Sequence, residues 1–117
     1  MASSSGVAFC SKCGTVFIEG DEVTNRFYEI LEGVFRFDAA HPPAQPIQRS
    51  LDSLLSSFNL IGRMLQMGIL RREDVDFFWP EGRLVLHDPQ VKGYLSWANE
   101  QPGTPPGGWW PGTGYLA

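Results

Sequence analysis

From Ile47 onward the apolar residues Ile47, Leu51, Leu54, Leu55, Phe58, Ile61 and Leu65 recur at i, i+4, i+7, i+8, i+11, i+14 and i+18. That spacing draws one continuous stripe on an α-helix. Leu60, Met64 and Met67 widen the stripe, while Ser53, Ser56, Ser57 and Asn59 form a polar, uncharged strip. The pattern predicts a central helix of about twenty residues, with Gly68 as its left-handed stop. A second stripe, Val23, Phe27, Ile30, Leu31 and Val34, predicts an earlier helix. It starts with Asp21 or Thr24 as its cap and continues through Phe35 and Phe37 until "DAAHPPAQP" (38–46) breaks it with prolines.

Downstream, "ILRREDVDFFWPEG" reads as a two-turn helix with Glu73 and Asp74 early and Val75, Phe78 and Trp79 facing inward. Pro80 and Gly82 are expected to end it, and "RLVLHDP" to run extended. Asp88-Pro89 marks a helix start, a carboxylate cap followed by a proline whose missing N–H costs nothing there. Val91, Tyr94, Leu95 and Ala98 form the apolar face of a last helix reaching Asn99.

The two ends of the chain differ from this helical middle. "VAFC" and "TVFI" flank "SKCG", so residues 7–18 predict a short β-hairpin. Residues 102–117, "PGTPPGGWWPGTGYLA", hold Trp109 and Trp110 among prolines and glycines and predict a tail without regular structure. The fold expected is therefore mainly α: an irregular antiparallel bundle of three to four helices within a single domain, 1–101, carrying an N-terminal hairpin and a C-terminal aromatic tail. Phe27, Ile30, Leu31, Val34, Leu51, Leu54, Leu55, Phe58, Ile61, Leu65, Val75, Phe78, Tyr94 and Leu95 make up the expected core.

Charge narrows the partners. With 9 basic and 13 acidic residues the net charge is −4, and Lys12 and Lys92 are the only lysines. Binding to nucleic acid relies on clustered cations that neutralise phosphates, so none is expected. The longest hydrophobic stretch, "FNLIGRMLQMGIL", is interrupted by Arg63 and Gln66 and is too short for a membrane span. "MASSSGVAF" lacks the features of an export signal. Two cysteines without such a signal point to a reducing compartment, cytoplasmic or nuclear.

Those cysteines, Cys10 and Cys13, are the first place to look for chemistry. Cys-x-x-Cys supplies two thiolates from one tight turn at a separation suited to zinc. "FCSKCGTVF", residues 9–17, resembles one knuckle of a zinc ribbon, a likeness that covers nine residues and lacks the second knuckle. Within the chain, His41 and His87 are the residues that would complete the shell. Between two chains, four thiolates would make zinc binding and homodimerisation one event. A hairpin turn with two unliganded thiols is the simplest alternative. A redox pair would need the motif at a helix N-terminus, whereas here a strand-like segment follows. Residues from about 47 to 100 are also similar to small helical domains with a "GIL…EDV" junction between helices.

Catalytic signatures are missing: no phosphate-cradling glycine loop, no GxSxG and no HExxH. The function expected is thus a non-catalytic protein–protein interaction module. It would act through a groove between helices, where Met64 and Met67 offer adaptable surface, through Trp109 and Trp110, or through both. A zinc-dependent assembly protein built on Cys10 and Cys13 is the first alternative, and a small thiol enzyme pairing a cysteine with His41 or His87 the second.

Overall fold

The computed structural model describes residues 8–9, 16–18, 20–76 and 79–113, with side chains from residue 20 onward. Four α-helices dominate: α1 (Asp21–Leu31), α2 (Gln45–Gln66), α3 (Trp79–His87) and α4 (Pro89–Asn99). A single 3-10 turn, Arg72–Asp74, lies between α2 and α3. The radius of gyration is 14.0 Å, near the roughly 13 Å of a compact chain this long. Short strands β1 (Ala8–Phe9) and β2 (Val16–Ile18) pair antiparallel, Ala8 opposite Ile18 and Phe9 opposite Val16. The turn of the hairpin expected over 7–18 falls on residues 10–15, outside the described residues.

Helix α2 follows its hydrophobic pattern. Leu51, Leu54, Leu55, Phe58, Ile61 and Leu65 are all buried; α1 packs against α2, and α3 packs against α1 and α4. The helix ends as its sequence predicts. Gly68 has φ 79°, its N–H donates to Leu65 O at 3.2 Å, and the Ile69 N–H reaches back to Met64 O at 2.9 Å. This is a paired 5→2 and 6→1 closure in which glycine takes the left-handed position without a Cβ penalty. The start lies two residues earlier than the stripe suggests, since Pro46 sits in the first turn, where its missing N–H removes no helical bond.

Helix α1 corrects the expectation that it runs through Phe37. It closes at Leu31 by the same device: Gly33 at φ 77° donates to Ile30 O, and Val34 N–H to Glu29 O at 3.0 Å. Beyond that glycine the chain is extended, and side chains alternate. Phe35 is buried and Phe37 half-buried, while Val34, 61% exposed, and Arg36 point outward. Val34 therefore leaves the expected core. The cap also differs, for Gly20 holds the N-cap and Asp21 is already helical.

The third helix is the larger correction. Pro80 and Gly82 do not end a helix; they open α3, and "RLVLH" is helical rather than extended. Proline is tolerated in a first turn for the reason that applies in α2. Continuing the helix buries Val85 and Leu86 beneath α1 and α4. Glu73 and Asp74 instead close the 3-10 turn, where buried Asp74 accepts the Arg71 N–H at 3.0 Å. At α4 the Asp88-Pro89 start is as read: Asp88 Oδ2 accepts from Gln90 N at 2.9 Å and from Val91 N at 3.2 Å. No described helix is long and apolar enough to cross a membrane.

Candidate functional site

Helices α2 and α4 meet through long side chains rather than through close backbone packing. The space between them is a cleft of about 580 Å³. One side carries Tyr94 and Trp97 of α4, at i and i+3, with Gln101 just beyond the end of that helix, and the α2 side carries Gln48, Asp52 and Ser56, at i, i+4 and i+8. Helical periodicity aligns Tyr94 with Trp97 on one flank of α4, and the three α2 residues on one flank of α2. Trp109 and Trp110 complete the wall.

Tyr94 is the centre of this arrangement. Its buried ring lies between Trp97, 5.7 Å away by ring centroids, and Trp110, at 6.4 Å, while Phe37 meets it edge-on at 5.4 Å. The Tyr94 hydroxyl donates to Asp52 Oδ1 at 2.6 Å, a polar bridge from α4 to α2. Burial, and after it the bond to the Asp52 carboxylate, push the Tyr94 hydroxyl well above the ordinary phenol range. The phenol stays a donor at any physiological pH.

The tail reaches the cleft by a path that glycine makes available. Gly107 and Gly108 adopt φ 86° and 89°, successive left-handed positions closed to most side chains. They turn Trp109 so that its backbone N–H donates to Asn99 Oδ1 at 3.0 Å and its indole N–H to Ala98 O at 3.1 Å. The Trp110 indole N–H donates across to Ser56 Oγ at 3.1 Å, and Gly112 N–H to Asn59 Oδ1. Trp110 thereby packs half-buried against the core. Trp109 stays 45% exposed at the rim.

Of the residues singled out in the sequence, Trp109 and Trp110 belong to this cleft. Met64 is half-buried against the core and Met67 is 67% exposed at the C-cap of α2; neither lines it. His41 stands exposed in the α1–α2 connection, its ring nitrogen 3.1 Å from Asp38 Oδ2. That bond, and then the Ala40 N–H, hold the Asp38 carboxyl below its usual value. His87 ends α3 beside a shallow hollow with Pro80, Arg83 and Leu84. Among the described residues no group of three or more His, Cys, Asp or Glu is placed to hold a metal. Cys10 and Cys13 lie outside the described residues, and with them the metal-site and thiol readings.

Sequence reasoning missed Gln48, Asp52, Trp97 and Gln101, and placed Ser56 on an outer strip. A signal was present: Gln48, Asp52, Ser56 and Asn59 form a polar stripe at i, i+4, i+8 and i+11 beside the apolar one. No protein-family model matches the chain, and neither a curated protein nor a solved structure matches it.

Proposed function

We propose that the chain is a non-catalytic interaction module that binds a protein partner in the cleft between α2 and α4. The observation that carries this reading is Trp109. Its indole N–H is already bonded to Ala98 O, yet the ring stays 45% exposed beside an open cleft. A ring so placed presents apolar area whose polar needs are met, and tryptophan and tyrosine in such positions dominate protein interfaces. Four aromatic side chains in one cleft of about 580 Å³ fall within the size range of binding sites. The titratable groups lining it, Tyr94 and Asp52, are bonded to each other.

Panning random peptides against the folded chain tests the reading. Enriched peptides should shift the indole N–H resonances of Trp97, Trp109 and Trp110, and Trp109→Ala should abolish binding while the fold persists. An absence of enriched peptides, or shifts confined to resonances remote from the cleft, overturns it.

A further inference from the structure

The charge of the cleft is one-sided: Asp52 is the only charged side chain among the residues that line it. Two of the cleft's three indole donors are engaged within the chain, Trp109 Nε1 on Ala98 O and Trp110 Nε1 on Ser56 Oγ, and the Trp97 indole N–H has no partner among the described residues. The Tyr94 hydroxyl is engaged on Asp52. Both glutamines turn their amide nitrogens onto backbone carbonyls: Gln48 Nε2 to Pro43 O at 2.7 Å, and Gln101 Nε2 to Trp97 O at 2.9 Å. Beside the Trp97 indole N–H and the Ser56 hydroxyl hydrogen, the lining leaves three acceptors without a partner among the described residues: Gln48 Oε1, Gln101 Oε1 and Asp52 Oδ2. Asp52 also makes no ion pair among the described residues. An unpaired carboxylate oxygen and two free amide oxygens between aromatic walls complement a flat, donor-rich cation. Guanidinium matches on each count, because it carries five N–H donors and no acceptor, stacks on aromatic rings and sheds water readily.

Resting on the cleft reading above, we propose that the occupant is an arginine side chain presented by a partner protein, stacked among Trp97, Trp109 and Trp110 and hydrogen-bonded to Asp52. A guanidinium alone would fill only part of about 580 Å³, so flanking peptide occupies the remainder. Lysine is the poorer fit, since its compact, strongly hydrated ammonium matches neither the plane of the rings nor the spread of acceptors.

The test is a titration of the isotope-labelled full chain with capped Ala-Ala-Arg-Ala-Ala and its lysine and citrulline counterparts, read at the tryptophan indole N–H signals. The arginine peptide should bind saturably. Citrulline, which keeps the shape but loses the charge, should bind about tenfold more weakly, and Asp52→Asn should weaken arginine binding about tenfold. Ser56→Asp keeps an acceptor for Trp110 and adds a carboxylate to the lining, so it should tighten arginine binding; this arm decides the matter if Asp52→Asn fails to fold. Equal binding of arginine and citrulline, an Asp52→Asn protein of native circular dichroism with unchanged affinity, or a Ser56→Asp protein no tighter than the parent overturns the assignment. Free arginine amide binding as tightly as the peptide also overturns it, by making the occupant a small solute. If panned peptides move the cleft indoles and the arginine peptide does not, arginine is the wrong occupant and the cleft remains an interaction site. If neither moves them, both readings fall.

Discussion

The helical body and the tail are held in opposite ways. In the body, α2 contributes a row of interchangeable aliphatic side chains, and burial alone, with no particular partner, keeps them inside. In the tail, almost nothing is regular. Residues 107–113 stay in place through a few directional bonds to Asn99, Ala98, Ser56 and Asn59 and one half-buried indole. The body should therefore tolerate exchange of one hydrophobic residue for another and suffer from loss of volume. The tail should respond to single atoms.

The contrast can be broken most forcefully in the body. Leu54 is 0% exposed, and Leu54→Ala should cost about 2–5 kcal/mol in chemical denaturation through lost transfer energy and the cavity left behind. Gly112→Ala tests the tail. A Cβ there would stand 2.3 Å from Asn59 O, a backbone atom that cannot give way. The tail should lift, the Trp110 indole signal should move to its solvent-exposed position, and the body should lose about 1–2 kcal/mol while keeping a cooperative transition. An unmoved Trp110 signal would show that the tail is anchored elsewhere.

Tyr94→Phe probes the seam between the two regions and should cost about 1 kcal/mol, the net worth of one hydrogen bond. It carries a pH signature. Because the folded hydroxyl titrates above its unfolded value of about 10, the unfolded state loses its proton first as pH rises. The stability contributed by Tyr94 is thus complete below about pH 10 and is lost as pH climbs beyond it. Denaturation midpoints of the native protein should fall through that window, and those of Tyr94→Phe should lack this component. Trp109→Ala gives up the indole bond to Ala98 O and should cost about 0.5–1 kcal/mol while removing peptide binding. A large loss of stability would move Trp109 from the binding surface to the structural frame.

How much of this could be read in advance follows the same division. The α2 stripe, the Gly68 stop and the Asp88-Pro89 start were all visible, because each depends on contacts within a few residues along the chain. The end of α1 and the course of α3 were misread for local reasons too. Gly33 sits inside an apolar run that looks helical, and Pro80 is a breaker in mid-helix but harmless in a first turn. Two of the cleft's four aromatic residues were legible as candidates, Trp109 and Trp110. Trp97 and the polar residues were not, since Gln48, Asp52 and Gln101 look like any exposed side chains until α4 lies opposite α2.

The order of apolar and polar residues was sufficient by itself to determine that the chain is mainly helical, where its longest helix lies and which face of it is buried, because helix formation and burial respond to periodicity and to near neighbours. Only the tertiary structure decided that Tyr94 would donate to Asp52 across 42 positions of sequence and that Trp110 would reach Ser56 across 54. Contacts at such separations depend on how the helices pack, and no local spacing encodes that.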